Sequence, residues 1–389
     1  MLAEGRGSNV LDVDGNRYVD LAGGFGSLLV GHAHPNVLRA LTLQSSRLMQ
    51  ALGDVHPSQP KIALLERLVA LYPGPAQGIL AQSGSDAVSA ALKTALLASG
   101  KPGVVAFSGS YHGLGYGPLA ATSLRASYRD PFRAQLNPHV RFAEYPASSA
   151  ALGRTLEQVQ AELSSGDVGA LLVEPILGRG GVVVPPPEFL PELAALARQH
   201  GALLVADEVW TGLGRAGKWL HSLGGATPDL VCLGKGLGGG LPVSALIGRA
   251  DVLAAWRREA EVVHTATFAG APLACTTALA TLDLLARERL AERAAELGAR
   301  FRSALTGALS GHPAAPSVRG EGLMIGIDLG ERPGAGAALA QALLARGYVT
   351  STGGGRREAL VLTPALNIDE ALLFGFVPEL GAALAELPA

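Results

Sequence analysis

The sequence predicts an α/β fold, a mainly parallel sheet covered by helices on both faces, together with a smaller α+β domain made from both ends of the chain. Three observations predict it: short Val/Leu/Ile runs recur through the middle of the chain, helix-period segments lie between them, and the two ends carry a different pattern. Apolar runs without alternation suit strands buried on both faces, and strand alternating with helix suits crossover connections.

In chain order, residues 1–40 hold VLDVDGNRYVDLAGG, a polar and apolar alternation around Asp14-Gly15 that predicts a hairpin. They form the first part of the smaller domain. The large domain is expected over 41–275, with strands at GILAQ (78–82), GVVAF (103–107), GALLVEP (169–175), GALLVAD (201–207), DLVCLGK (229–235) and VSALIG (243–248). Helices are expected at SDAVSAALKTALLASG (85–100) and LPELAALARQHG (190–201), both closed by glycine. Residues 276–389 return to the smaller domain with long Ala/Leu/Arg helices and further strands at GLMIGIDLG and ALVLTP.

A length of 389 residues, 48% hydrophobic and 16% charged, allows a large core and two domains. The formal net charge of −2 gives no reason to expect nucleic acid or an anionic membrane as partner, which leaves small molecules. Cys232 and Cys275 lie in apolar stretches, as buried thiols of a reducing compartment do. No apolar run reaches the ~18 residues of a membrane span and no signal peptide opens the chain, so a cytoplasmic location is expected.

Common motifs fail on their context. GLGRAG and GKGLGG match G-x-G-x-x-G, but neither leads into an amphipathic helix as a dinucleotide fingerprint requires. Lys235 is followed by Gly236 where a P-loop needs Ser or Thr, there is no G-x-S-x-G elbow, and His32 and His34 lack partners at metal-ligand spacing. The function expected is therefore neither metal nor serine-hydrolase chemistry.

Three strand ends matter more. Asp207 closes one strand, Lys235 closes another and is followed by glycines, and Ser83-Gly84-Ser85 stands between a strand and a helix. If these strands share a sheet, an acid, an amine and a helix amino terminus face one crevice. Pyridoxal phosphate needs those groups: N–H donors and a hydroxyl for its phosphate, a carboxylate for its pyridine nitrogen, and a lysine amine for its aldehyde. Alone, Asp207 would serve as a cap, Ser85 as an N-cap, Tyr111 as a core aromatic and Thr267 as a loop hydroxyl.

LLVADEVWTGLGRAGKW followed by TPDLVCLGKGLGGGLPVSALIG resembles the class III aminotransferases, which are fold-type I enzymes dependent on pyridoxal phosphate. SGSDAVSAALKTA, SYHG, VEPILGRGG, HTATFAGAPLACTTALA and VRGEGLMIGIDL extend the resemblance over nearly the whole chain. It implies a seven-stranded sheet and a homodimer with shared active sites. It also implies that Lys235 forms the Schiff base and moves the substrate proton, that Asp207 pairs with the pyridine nitrogen, and that Val209 and Tyr111 cover the two ring faces. Gly84 and Ser85 would hold the phosphate, joined by Thr267 of the partner subunit, and Glu174 would support the site near Asp207. His112 is expected to be structural.

Departures from the family pattern carry the substrate question. Val361 stands where an arginine commonly grips the substrate carboxylate, and Arg179 in EPILGRGG stands where an acid commonly pairs with that arginine. Losing both partners is coherent, since either one left buried alone would be costly. Arg179 is then expected to supply the positive charge from the opposite wall. Trp210 replaces a common glutamine and should reshape the pocket mouth.

The function expected is transfer of an amino group, a terminal one from an amine or ω-amino acid, to a 2-oxo acid acceptor by a ping-pong cycle. The alternative within the fold is an amino acid racemase or an aminomutase using the same lysine. A non-catalytic binding protein is disfavoured because it has no use for Lys235.

Overall fold

The structure is a computed structural model that describes residues 1–258, 261–312, 316–330 and 332–387. At the amino terminus β1 (Leu2–Arg6), β2 (Asn9–Asp12) and β3 (Arg17–Asp20) pair antiparallel. The turn between β2 and β3 is the one read from the sequence. Asp12 Oδ1 accepts the N–H groups of Asp14 and Asn16 at 3.0 and 2.8 Å, and Gly15 adopts φ +86°.

The middle of the chain supplies β4 (Ala76–Ala81), β5 (Gly103–Phe107), β6 (Val140–Ala143), β7 (Val168–Val173), β8 (Leu203–Asp207), β9 (Leu230–Leu233) and β10 (Ser244–Arg249). They form one seven-stranded sheet in the order β4-β10-β9-β8-β7-β5-β6. β5 through β9 pair parallel, so their carboxyl ends share one edge, whereas β10 runs antiparallel to both β4 and β9. An apolar run reports burial but not direction, which is why β10 looked like its neighbours. β6 escaped the sequence reading because it is a half-buried edge strand with Arg141 inside it.

Helix Gly84–Ser99 turns Ala87, Val88, Ala90, Ala91 and Ala95 onto one face of the sheet, against Ala170, Leu172 and Val205. Helix Phe189–His200 covers the other face with Phe189, Leu193 and Ala197 against Val105, Leu171 and Leu204. Each fully buried Leu or Phe side chain contributes about 1.5–3 kcal/mol. Both helices stop at a left-handed glycine, Gly100 and Gly201, as their sequences predict.

After the sheet come helices Pro272–Arg287 and Leu290–Leu309, then β11 (Ser317–Glu321), β12 (Met324–Asp328), β13 (Tyr348–Val349), β14 (Ser351–Gly353) and β15 (Ala359–Leu362). β11-β12-β15-β14 form an antiparallel sheet, while β13 pairs parallel with β3 and so joins the amino-terminal strands. The division expected at 275/276 falls inside helix Pro272–Arg287, which packs on helices Pro35–Ser45 and Gln59–Val69.

The fully buried Arg215 ties the carboxyl edge of the large sheet to the end of the chain by donating to the carbonyls of Leu323 and Pro364 at 3.0 and 2.5 Å. His32 and His34 are held in local structure: His32 Nε2 lies 2.8 Å from Asp20 Oδ2, and His34 Nδ1 caps the next helix by accepting Asn36 N–H. Among the described residues no cluster is placed to hold a metal ion, and no helix is long and apolar enough to cross a membrane.

Candidate active site

At the carboxyl edge of the large sheet a cleft of about 250 Å³ is lined by Gly84, Ser85, Tyr111, Glu174, Asp207, Val209 and Lys235, together with Arg179 and Trp210. Thr267 and Val361 do not line it. Thr267 lies on an exposed segment beside Phe268, its carbonyl accepting Gln50 Nε2–H at 2.6 Å. Val361 is fully buried on β15, in an apolar cluster with Trp210, Ile176 and Met324.

β9 ends at Leu233, so Lys235 does not close the strand but opens a short 3₁₀ turn, Lys235–Gly238, at φ +33°. A left-handed conformation at a residue with a side chain costs on the order of 1–3 kcal/mol and recurs where function over-determines the backbone. Gly236 could not take the lysine's place, because a Cβ there would lie 2.4 Å from Leu29 Cγ. The Lys235 amine sits 4.4 Å from the centre of the Trp210 ring. Burial pulls its pKa below the ordinary 10.5, and Arg179 adds to this, while Asp207 and Glu174 oppose it. The neutral, nucleophilic amine is thereby favoured.

Asp207 is held from two sides. Its Oδ1 accepts Val209 N–H at 3.1 Å, and its Oδ2 lies 2.7 Å from Nδ1 of the buried His112. Nε2 of His112 is buried without a partner. His112, expected to be structural, is thus placed against Asp207. The run SYHG was its only signal, since 95 residues separate the two.

Glu174 accepts Tyr111 N–H at 2.7 Å and Gly178 N–H at 3.0 Å, which ties the loop after β5 to the turn that carries Arg179. Burial raises the Glu174 pKa, with His112 opposing and Asp207 reinforcing. The Arg179 guanidinium lies 4.7 Å above the Tyr111 ring centre.

Opposite these groups is the amino terminus of helix Gly84–Ser99, capped by Ser83 Oγ, which accepts Asp86 N–H at 3.2 Å. The Gly84 and Ser85 N–H groups belong to the first turn and have no intrahelical acceptor. Ser85 Oγ accepts Gly115 N–H at 3.1 Å and keeps its own proton to donate. The floor is shaped closely: a Cβ on Gly84 would lie 2.7 Å from Val209 Cγ1, and one on Gly113 (φ +115°) would lie 2.7 Å from Ser85 Cβ. A helix start that binds anions, a buried carboxylate and a neutral amine around one cleft fit pyridoxal phosphate.

Trp210 fills one wall. A Cβ on Gly26 would lie 2.2 Å from its Nε1, and one on Gly178 would lie 2.3 Å from its Cε3. The indole therefore depends on two glycines that lie far apart in the chain.

Comparison with known proteins points the same way. A family profile described as aminotransferase class-III matches residues 1–384. The chain is 33% identical over 390 residues to the acetylornithine aminotransferase of Methanothermobacter thermautotrophicus, covering 100% of this chain and 94% of that protein. It is 36% identical over 335 residues to the 5-aminovalerate aminotransferase of Pseudomonas aeruginosa, covering 83% and 77%. The crystal structure of an amine transaminase from an uncultivated Pseudomonas species, in its PLP-bound form, superposes with a TM-score of 0.92 at 29% identity, covering 100% of this chain and 95% of that one.

Proposed function

The chain belongs to the class-III aminotransferases, enzymes that use pyridoxal phosphate to move an amino group from a donor to a 2-oxo acid, and from that membership we propose how its residues divide the work. Lys235 would hold the cofactor's aldehyde through its amine, and its Nζ, once free, would be the group placed to take the proton from the substrate's reacting carbon, as a general base. Asp207, in contact with His112, would pair with the ring nitrogen. Bound there, the cofactor supplies an electron-accepting ring for the pair of electrons that the departing proton leaves behind. Gly84 and Ser85 hold the phosphate at the helix start, Val209 and Tyr111 face the ring, and Glu174 positions Tyr111.

The observation that carries this reading is the convergence of Lys235, Asp207 and the start of helix Gly84–Ser99 on one cleft. The donor class we propose is a terminal amine or ω-amino acid, supported by relatives named for acetylornithine and 5-aminovalerate and by the amine transaminase structure. The relatives named here are aminotransferases, and none is a racemase or aminomutase.

We also propose a homodimer in which Thr267 of the partner subunit completes the phosphate site. It is supported by the exposed position of Thr267 outside its own cleft, next to Phe268 and Val262, which are 56% and 66% exposed. Thr267→Ala should weaken cofactor binding without moving anything in its own cleft; unchanged affinity would sink that role. A cytoplasmic location is proposed on the two buried free thiols, Cys232 and Cys275.

The test is the visible spectrum of the purified protein with and without a panel of donors, beside Lys235→Ala. The expected result is a band that an effective donor bleaches and a 2-oxo acid restores, and that Lys235→Ala does not form. A band that persists with every donor while the substrate's stereocentre scrambles would move the reading to an isomerase.

A further inference from the structure

We propose, building on the aminotransferase reading, that Arg179 is the single carboxylate anchor for both donor and acceptor, and that the enzyme therefore takes 2-oxo monocarboxylic acids in preference to 2-oxo dicarboxylic ones. Arg179 is the one guanidinium lining the cleft among the described residues; the Lys235 amine is committed to the cofactor and His112 to Asp207. The guanidinium of Arg179 stacks on Tyr111 and has no acidic partner among the described residues. A half-buried fork of donors with no anion to hold suits a substrate carboxylate.

Its main chain is fixed on both sides. Glu174 accepts the N–H of the preceding Gly178, and the Arg179 carbonyl accepts Gly354 N–H at 2.8 Å. Nearby guanidiniums are already engaged: Arg319 with Asp328 and the Gly181 carbonyl, Arg125 with the carbonyls of Gly354 and Gly355.

The wall beside Arg179 has no charge to offer. Trp210, Val361, Ile176 and Met324 pack there as one buried apolar cluster, and Nε1 of Trp210 is buried without a hydrogen-bond partner. A second carboxylate would be desolvated against that wall without a counter-charge, which is strongly unfavourable.

The experiment follows separate half-reactions of the cofactor-loaded protein by its visible band, with pyruvate or 2-oxoglutarate as acceptor and 5-aminovalerate or pentylamine as donor. The wild type should prefer pyruvate, and Arg179→Ala should lower the 5-aminovalerate to pentylamine ratio of kcat/KM by about 10- to 100-fold, the range for a hydrogen bond to a charged group. Arg179→Lys should restore part of it. By calorimetry valerate, which carries the carboxylate without the amine, should bind Arg179→Ala at least tenfold more weakly than wild type, in keeping with the same estimate.

An equal loss for 5-aminovalerate and pentylamine, or a valerate affinity that does not move, would overturn the anchor while leaving the aminotransferase reading intact. A wild-type preference for 2-oxoglutarate would overturn the monocarboxylate conclusion. A band that no donor bleaches would overturn the underlying reading instead.

Discussion

Gly178→Ala tests whether the indole of Trp210 is as tightly seated as the geometry says. Gly178 does not occupy the left-handed region, so alanine fits the backbone, and by itself the change would stabilise the fold by about 0.4–1 kcal/mol through the unfolded chain. The new Cβ, however, would sit 2.3 Å from Trp210 Cε3 and 3.0 Å from both Trp210 Cζ3 and Met324 Cε. Carbon atoms prefer about 3.5–4.0 Å, so the ring must retreat by roughly an ångström. Met324, Val361, Ile176 and Val182 are buried behind it, and the Gly26 backbone closes the Nε1 edge. The remaining direction is into the cleft, toward Lys235. Overpacking of this kind costs about 1–3 kcal/mol, so the net destabilisation should be about 1–2 kcal/mol. In a Trp210→Gln background the obstacle is gone and Gly178→Ala should be neutral or slightly stabilising. The four proteins of this cycle, compared without cofactor by guanidinium unfolding, should give a coupling of about 1–3 kcal/mol. Equal shifts in both backgrounds would refute the seat and place the cost in the Glu174–Gly178 hydrogen bond.

Two further outcomes follow from the polar side of the cleft. His112→Phe keeps an aromatic ring in the buried space but deletes the 2.7 Å contact to Asp207; cofactor affinity measured by fluorescence titration should fall about tenfold, as for a hydrogen bond to a charged group, and an unchanged affinity would make His112 mere filling. Because burial depresses the Lys235 pKa, the neutral amine that attacks the cofactor aldehyde is populated at lower pH than in a free lysine. The rate at which cofactor-free protein gains its visible band should rise with pH to a plateau with a midpoint below 10.5, and a midpoint at or above 10.5 would contradict the depressed pKa.

The residues proposed to hold the chemistry differ in how far the sequence reveals them, and the reason is distance along the chain. Asp207 and Lys235 could be read because each stands at the end of an apolar run, where glycines or a turn follow and where a parallel sheet exposes its carboxyl edge. His112 could not, because its meaning lies in a contact with Asp207 across two strands, and a histidine in a loop has several local uses. Trp210 was legible as a change of shape but not as a seated one: the glycines that admit it, Gly26 and Gly178, are far apart in the chain and are ordinary turn glycines on paper. β6 hid behind its polar edge, and the antiparallel direction of β10 depends on the connection through Lys235–Gly238 that brings the chain back. Thr267 lies outside its own cleft, so the phosphate role proposed for it would depend on assembly, which no local pattern encodes.

Glu174 explains why the charge changes in this cleft come as a set. It binds the N–H of Tyr111 and the N–H of Gly178 with its two oxygens, so the Tyr111–Arg179 stack is built on one buried carboxylate. Burial and the nearby Asp207 raise its pKa, while His112 and the two N–H groups it accepts favour its charged form. An acid at position 179 would place a third carboxylate in the cleft and raise the Glu174 pKa further. An arginine at position 361 would have to displace the apolar cluster under Trp210 and lie unpaired behind it. With Val361 and Arg179 the cleft keeps one guanidinium without an acidic partner among the described residues, supported by Glu174 and Tyr111, and the apolar cluster around Val361 is completed by an indole that two glycines admit.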